Sequence, residues 1–286
     1  MPDPAINRSQ SGIAVTKESF LFLCELIKKH TGIALTEDKS YLLETRLFPI
    51  IKRDNYGNIN QLVNALRLAD NHLLRTEIIE AMTNNETSFF RDLKPFAQLT
   101  DMVIPHLLKN RQPGSTIRIL NAACSSGQEP YSIAMSILDK PKFSQYKFEI
   151  IAGDVDQYIL KRAMAGNYSQ FEVQRGLPIT MLLKYFTQDG DNWNINDKVK
   201  SMVSFRQLNL LEDVTTLDGK FDIIFCRNVL IYFDQPTKSQ ILHKLSQIMS
   251  EHAILFLGCS ESSAGLCDQL TLFENTSWLA QLAPEC

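Results

Sequence analysis

Residues 117–135 contain the pattern most suggestive of chemistry. An apolar strand pattern leads into a turn of small residues, and Ser126 and Glu129 then open a helix. A strand, a tight turn and a helix N-terminus present backbone N–H groups and the helix dipole to a ligand. A second apolar strand ends just before Asp154, which lies 27 positions after Gly127. A carboxylate at that place suits a pair of ribose hydroxyls, so the spacing favours a nucleotide-type ligand.

The same turn has a simpler interpretation. Ser126 and Glu129 have the spacing of a capping box, which a helix can use without any ligand. Gly127 is the only glycine in the stretch, so the full G-x-G-x-x-G pattern of a classical dinucleotide site is missing. At this point the residues leave both interpretations open.

Composition limits the class of protein. The chain has 286 residues, enough for about two domains, with 44% hydrophobic and 21% charged residues. A net charge of −3 argues against an extensive nucleic-acid-binding surface. Residues 1–14 are expected to be a disordered tail without the apolar core of a signal peptide. The apolar run at 253–259 is far too short to span a bilayer.

Cysteine and histidine usage indicates neither disulfides nor a metal site. The six cysteines include no C-x-x-C pair, and the five histidines show no metal-ligand spacing. We therefore expect a reduced, cytoplasmic, metal-free protein that does not insert into the membrane.

The elements that would position these turns form two regions. Residues 15–82 show only helical apolar patterns, which predicts a small all-α domain. Residues 83–96 are predicted to be a linker that contributes to the ligand site. From 97 to 286, strands and helices alternate, which predicts a doubly wound, Rossmann-like α/β domain. A polar stretch at about 187–205 predicts a small inserted antiparallel β-subdomain. Strands are predicted at 117–121, 148–152, 203–207, 221–225 and 253–258, and helices at 96–109, 129–138, 157–165, 178–185 and 236–249.

Four sequence blocks, taken in order, carry a family resemblance. They are NETSFFR at 85–91, AACSSGQEPYS at 122–132, GDVD at 153–156 and FDIIFCRNVLIYF at 221–233. Together they resemble the CheR family, the chemotaxis receptor glutamate O-methyltransferases that use S-adenosylmethionine. The segments AMAGNY at 163–168 and GCSE at 258–261 also resemble family features. The resemblance covers nearly the whole chain, from about residue 15 to about 282.

The first three blocks imply roles for five residues. By resemblance, Asn85 and Thr87 contact the cofactor, and Arg91 binds it near the methyl group that is transferred. Glu129 would reach the methionine end of the cofactor, and Asp154 would hold its ribose.

The resemblance implies five further site residues, two at the Asn-Leu pair 209–210 and three in the block 221–233. Asn209 and Leu210 would lie beside the adenine, and Asn228 and Val229 would line the methionine side of the pocket. Tyr232 resembles a tyrosine at the substrate entrance. Taken alone, Tyr232 would be interpreted as a core residue.

The chemistry implied by the resemblance agrees with the residues present. A sulfonium is an activated leaving group, and a side-chain carboxylate is already ionised at pH 7. Such a transfer needs alignment and desolvation rather than a base, a thiol or a metal. Arg91 could orient the attacking carboxylate, although it could instead pair with Asp92 or cap a helix. The turn CRNV at 226–229 differs from the Asn/Asp-Pro-Pro-Tyr type of N-methylating enzymes, which favours an oxygen nucleophile.

Three cations in the helical region are spaced by seven. Lys39, Arg46 and Arg53 would therefore lie close to one face of a helix, with a kink at Pro49. The resemblance implies that this face contacts the acidic methylation helices of a receptor. The alternative is a solvated charged face.

The resemblance implies a protein-glutamate O-methyltransferase that modifies bacterial chemoreceptors for adaptation. Its products would be glutamyl methyl esters and S-adenosylhomocysteine. We expect a monomer recruited to membrane-bound receptor arrays, and the 187–205 stretch resembles a subdomain that docks a C-terminal receptor peptide in some members. Two alternatives are a methyltransferase of another carboxylate and a non-catalytic cofactor-binding regulator.

Overall fold

The computed structural model describes residues 15–68, 71–109, 111–274 and 276–283. The expected disordered tail, 1–14, lies outside the described residues. The chain divides into two compact units, Met1–Asn84 and Asn85–Cys286. No described helix is both long enough and apolar enough to cross a membrane.

The first unit is helical, as the apolar patterns predict. Its first helix begins after Thr16, whose side chain accepts a hydrogen bond from the Ser19 amide, and ends at Gly32, which has a φ of 76°. The apolar faces of the helices pack together around Leu23, Leu43 and further buried side chains. The helices are α1 (Lys17–Thr31), α2 (Ser40–Arg53), α3 (Ile59–Leu68) and α4 (His72–Met82), with a 3₁₀ turn at Glu37–Lys39.

The second unit alternates strands and helices. The strands are β1 (Thr116–Asn121), β2 (Lys147–Asp154), β3 (Asn167–Ser169), β4 (Phe186–Asp189), β5 (Asn192–Ile195), β6 (Val203–Gln207), β7 (Phe221–Cys226), β8 (Met249–Leu257), β9 (Leu270–Phe273) and β10 (Thr276–Leu282). The helices are α5 (Lys94–Gln98), α6 (Ile104–Leu108), α7 (Gln128–Leu138), α8 (Gln157–Ala165), α9 (Gln170–Gln174), α10 (Ile179–Tyr185), α11 (Asp197–Lys200) and α12 (Gln235–Gln247). Short 3₁₀ turns lie at Pro141–Phe143, Val214–Thr216 and Leu230–Tyr232.

Seven strands form the large sheet, in the order β6-β2-β1-β7-β8-β10-β9. The first five are parallel to their neighbours, and β10 and β9 add an antiparallel edge. The predicted doubly wound sheet is therefore confirmed, and its five predicted strands are the five parallel ones. The antiparallel edge, β9 and β10, was not predicted.

Alternate side chains of the central strands enter two separate cores. Ile223 and Phe225 of β7 pack on one face of the sheet, whereas Ile224 and Cys226 pack on the other. All six residues of β7 are buried. A parallel strand covered by helices on both faces is expected to be continuously apolar, which is why this strand was easy to recognise.

The helix predicted at 96–109 contains an irregular turn. A π-helical segment, Leu99–Val103, separates α5 from α6, and the amide of Ile104 donates to the carbonyl of Leu99. Pro105 follows at the start of α6. Because proline has no N–H, it removes one α-helical hydrogen bond, and the backbone adjusts locally.

The small antiparallel sheet is displaced from its predicted position. Its strand order is β3-β5-β4, so it begins at Asn167 and ends at Ile195. The predicted subdomain range, 187–205, overlaps residues 203–205 of β6, a strand that pairs in parallel with β2 at the edge of the large sheet. A strand of three residues, such as β3, is too short to show an alternating pattern.

Candidate cofactor and transfer site

The first turn, between β1 and α7, depends on a glycine. Gly127 has a φ of 93°, and a Cβ at this position would lie 3.0 Å from both Ala163 Cβ and Tyr168 Oη. The Tyr168 hydroxyl donates to the Ser126 carbonyl at 2.7 Å, which holds the turn against the small sheet. A larger residue would displace the turn from the end of β1.

The helix after this turn does not begin with a capping box. Gly127 is its N-cap and makes no side-chain capping bond. The Ser126 hydroxyl instead donates to Gln128 Oε1 at 2.7 Å, and Glu129 Oε2 accepts from Asn121 Nδ2 at 2.8 Å. The capping-box interpretation is therefore wrong, because both side chains have other partners.

Arg227 is the principal site residue whose role was not predicted. It is 3% exposed, and its guanidinium donates to the carboxylate of Glu129 through Nη1. Nη2 donates to Asp92 Oδ2 at 2.6 Å and to the Arg91 carbonyl at 3.2 Å. Nε is buried without a hydrogen-bond partner among the described residues. This one side chain connects the turn after β7, the first turn and the segment that contains Arg91.

Asp154 ends β2 and has a different kind of environment. Its carboxylate accepts from the Ser125 amide at 2.8 Å and from the Asp156 amide at 3.1 Å. Burial raises the pKa of this carboxyl group, although the amide hydrogen bonds oppose the effect. At the preceding Gly153, a Cβ would lie 2.5 Å from Leu208 Cβ, so only glycine allows this close approach.

The segment 85–93 is anchored along its length to the rest of the second unit. Asn85 Nδ2 donates to Asp156 Oδ2 at 2.8 Å, and its carbonyl accepts from the Ser125 hydroxyl at 2.8 Å. The Phe90 amide donates to Ser132 Oγ at 3.0 Å. The segment predicted to be a linker is therefore joined to both turns.

Arg91 is half-buried in this segment. Its Nη1 donates to the Glu86 carbonyl at 3.2 Å, whereas the neighbouring Asp92 bonds to Arg227. The backbone is strained around it, with φ values of 49° at Phe90 and 70° at Asp92. Thr87 and Arg91 line a cavity of about 520 Å³, whose other lining residues are Glu86, Ser88, Phe89, Phe90, Asp92, Leu93, Arg175 and Gly176.

The turn after β7 is held by a second carboxylate that prediction left without a role. Glu261 is buried, and its carboxylate accepts from the amides of Gly258 at 2.6 Å, Asn228 at 2.8 Å and Ile231 at 3.3 Å. A Cβ on Gly258 would lie 2.6 Å from Glu261 Oε2. Asn228 has a φ of 57°, so these bonds stabilise an unusual backbone conformation. The only sequence signal was the GCSE segment.

The remaining predicted site residues follow the same ends of the strands. Asn209 and Leu210 follow β6; Asn209 Oδ1 accepts from the Leu211 amide at 3.0 Å, and Leu210 is buried. Val229 and Tyr232 follow β7 and are both half-buried, and the Tyr232 amide donates to the Val229 carbonyl at 3.2 Å. The carboxyl ends of β1, β2, β6 and β7 thus bring the predicted residues to one edge of the sheet.

The predicted cationic face of the first unit is largely engaged within that unit. Arg46 donates to the carbonyls of Met82 and Thr83 at 2.7 and 3.1 Å. Arg53 pairs with Glu77 at 2.6 Å and with Asp54 at 2.7 Å. The side chain of Lys39 is exposed, and its residue lies in the 3₁₀ turn before α2 rather than in the helix itself.

The fold and site define a class of protein, a doubly wound domain with a nucleotide-type cofactor site at the carboxyl ends of its strands. Residues 85–278 match the family model described as the CheR methyltransferase SAM-binding domain. Residues 18–83 match the CheR methyltransferase all-alpha domain. The chain belongs to the CheR methyltransferase family, and the resemblance seen in the sequence is confirmed.

Curated relatives match over most of the chain. Chemotaxis protein methyltransferase Cher2 of Pseudomonas putida is 38% identical over 253 residues, which cover 87% of this chain and 91% of the relative. Chemotaxis protein methyltransferase 1 of Vibrio cholerae is 37% identical over 266 residues, which cover 92% and 95% of the two chains. The function is thus S-adenosylmethionine-dependent methylation in chemotaxis.

The site residues suit S-adenosylmethionine. The hydrogen-bond network around the turns contains the buried guanidinium of Arg227 and five carboxylates, those of Asp92, Glu129, Asp154, Asp156 and Glu261. The cofactor carries a sulfonium and an ammonium group, which an excess of negative charge favours. The Nε of Arg227, which is buried and has no hydrogen-bond partner in the described part of the chain, is a further donor near these turns.

Proposed function

We propose that this protein methylates glutamate side chains of bacterial chemoreceptors, which makes it a protein-glutamate O-methyltransferase. The observation that supports this proposal best is the position of Arg91. Arg91 lines a cavity formed by residues 86–93, 175 and 176, and its carbonyl accepts from Arg227, which also bonds to Glu129. A cation at that place can orient a carboxylate. Family membership and the names of the relatives support a receptor substrate.

For the cofactor, we propose the residue roles that the resemblance implies. Asp154 would accept hydrogen bonds from the ribose hydroxyls, and Glu129 would face the methionine end. Asn209 and Leu210 would lie beside the adenine. Four further residues would complete the pocket: Asn85, Thr87, Asn228 and Val229. The contacts of Asn85 with Asp156 and of Asn228 with Glu261 support these roles, because they keep both segments at the same edge of the sheet.

The residues of this chain would act by positioning. When bound, S-adenosylmethionine would supply a methyl group on a sulfonium; the glutamate oxygen would take that methyl with loss of the sulfur–carbon bond, leaving a glutamyl methyl ester and S-adenosylhomocysteine. A glutamate is ionised at pH 7, so the protein need not remove a proton. Arg91 would hold the carboxylate in line, and Tyr232 would border the entrance.

For the receptor, we propose that the helical unit contacts the acidic methylation helices. The exposed side chain of Lys39 is the best placed for this role, because Arg46 already donates to two carbonyls. Arg53 is exposed but would have to exchange its ion pairs with Glu77 and Asp54 for the receptor. Each ester would remove one negative charge from the receptor and so change its signalling. We also propose that the protein acts as a monomer, recruited to membrane-bound receptor arrays.

The experiment that tests this function uses S-adenosylmethionine labelled in the methyl group. The purified protein is incubated with membranes that contain chemoreceptors of the same organism, and label released by alkali as volatile methanol is counted. We expect alkali-labile label on a receptor-sized band, and a strong reduction with the Asp154→Ala variant. Alkali-stable label would contradict carboxyl methylation, and a lack of transfer despite cofactor binding would contradict the catalytic proposal.

A further inference from the structure

The cavity beside Arg91 contains a second guanidinium that no step above uses. Arg175 lines the same cavity, and its Nη2 lies 2.6 Å from Glu86 Oε1. Arg91 donates to the backbone carbonyl of the same residue, Glu86, at 3.2 Å. One glutamate of the protein therefore lies between two arginines at the place where an acidic substrate would enter.

The backbone holds Arg175 over this cavity. The next residue, Gly176, has a φ of 88°, and a Cβ there would lie only 2.2 Å from the Phe89 carbonyl oxygen. The loop after α9 therefore packs directly on the 85–93 segment. Helix α9 itself begins with a capping box between Ser169 and Glu172, which fixes the start of the element that leads to Arg175. Backbone packing thus fixes where the Arg175 side chain begins, whereas its guanidinium is held by the bond to Glu86.

The ion pair between Arg175 and Glu86 is easy to exchange. Their side chains are 51% and 62% exposed, in contrast to Arg227, which is buried. Exposed ion pairs add little to stability, so the fold does not require this one. The Arg175 guanidinium lowers the pKa of Glu86, which keeps that carboxylate charged. An incoming carboxylate could replace Glu86 without leaving a buried charge unpaired.

We propose that Arg175 is a binding subsite for a second carboxylate of the substrate, adjacent to the one that accepts the methyl group, and that Glu86 occupies this subsite in the free protein. The inference rests on the proposed function, in which Arg91 orients the acceptor. The planar guanidinium suits a carboxylate because it can donate two parallel hydrogen bonds. Arg175 would then contribute to the choice of substrate. Glu86 would compete with the second carboxylate of the substrate for the Arg175 guanidinium.

Two variants separate this role from a merely structural ion pair. The substrate is a purified cytoplasmic fragment of a chemoreceptor from the same organism, used unchanged and with the acidic neighbours of its methylated glutamate replaced by glutamine. With the unchanged fragment, Arg175→Gln should raise KM about two- to fivefold and Glu86→Gln should lower it by a similar factor. With the neutralised fragment, both effects should disappear. In neither case should cofactor affinity, measured by calorimetry, change.

A second exposed ion pair provides the matched control. Lys184 Nζ lies 2.7 Å from Asp139 Oδ1, and the two side chains are 53% and 40% exposed. Neither residue lines the cavity. Lys184→Gln and Asp139→Asn should leave KM unchanged for both fragments. The subsite is overturned if Arg175→Gln and Glu86→Gln shift KM in the same direction, or if either acts equally on both fragments. Absence of transfer by the unsubstituted protein would overturn the proposed function, and the subsite with it.

Discussion

Two acidic residues of the site, Glu129 and Asp154, occupy opposite kinds of environment. Glu129 is held by side chains, the amide of Asn121 and the buried guanidinium of Arg227. Asp154 is held by backbone amides of Ser125 and Asp156, and its burial raises its pKa. Both were identified by the same resemblance, yet their contributions to the folded protein differ.

The difference separates stability from binding. Glu129 belongs to an ion network whose disruption leaves buried charges unpaired, so its neighbours are needed for the fold. Burial disfavours the ionised form of Asp154. Such a carboxylate suits a binding site, because the hydroxyls of a bound ligand can donate hydrogen bonds to it. We infer that the region around Arg227 mainly stabilises the fold of the site, whereas the turn at Asp154 mainly contributes to binding of the cofactor.

The largest expected effect is that of Arg227→Met on stability. This change leaves the carboxylates of Glu129 and Asp92 without their guanidinium, so the free energy of unfolding should fall by about 3–5 kcal/mol. Chemical denaturation followed by circular dichroism measures it. The double variant Arg227→Met, Glu129→Gln should recover part of the loss, because it removes one unpaired charge. A loss below about 1 kcal/mol would contradict the stabilising role.

The next effect is that of Asp154→Ala on cofactor affinity. A carboxylate that accepts hydrogen bonds from two hydroxyls contributes about 1.5–3 kcal/mol, so calorimetry should show S-adenosylmethionine binding weakened about 10- to 100-fold. The variant should still fold, with a lower unfolding midpoint because the amides of Ser125 and Asp156 lose their acceptor. Asp139→Asn, which changes an exposed acid of the same unit, serves as the control. Unchanged affinity would show that the ribose assignment is wrong.

Arg91 lies between the two regions, because its carbonyl accepts from Arg227 while its side chain lines the cavity. Arg91→Ala removes only the side chain, so we expect kcat to fall about tenfold through lost orientation of the acceptor, with a smaller change in cofactor affinity. Steady-state kinetics together with calorimetry test this expectation. Equal losses in both quantities would place Arg91 in the cofactor site alone.

The smallest effect is a pH dependence that arises from Asp154. Because its pKa is raised in the folded state, the folded protein binds more protons than the unfolded chain above the ordinary value near 4. Its contribution to the free energy of unfolding should therefore fall as pH rises through that window, by about 1.4 kcal/mol per pKa unit. In denaturation experiments without cofactor, the stability of Asp154→Asn relative to the unsubstituted protein should therefore rise as pH increases from about 4 towards the raised pKa. A relative loss over this range would contradict the raised pKa.

The sheet could be predicted from sequence because its signals are local. Buried parallel strands are short apolar runs. The turn after β1 contains Gly127, and β2 ends with Gly153 and Asp154; a Cβ at either glycine would lie too close to its neighbours. The capping box at Ser126 was misleading because the positive φ of Gly127 and the bond between Glu129 and Arg227 determine how that helix starts.

Tertiary contacts could not be predicted in the same way. Arg227 and Glu129 are 98 positions apart, so neither motif indicates the other. The bonds from Arg46 to the carbonyls of Met82 and Thr83 likewise depend on the packing of helices distant in sequence. A seven-residue spacing shows that cations share a face, but it does not show whether that face is already occupied.

A crystal structure of the protein with S-adenosylhomocysteine tests the central claim most directly. The account predicts that the ribose hydroxyls bond to the Asp154 carboxylate and that the amino group of the homocysteine portion approaches Glu129, while Arg227 keeps its bonds to Glu129 and Asp92. A ligand whose ribose binds elsewhere, with Asp154 bonded only to the amides of Ser125 and Asp156, would contradict it.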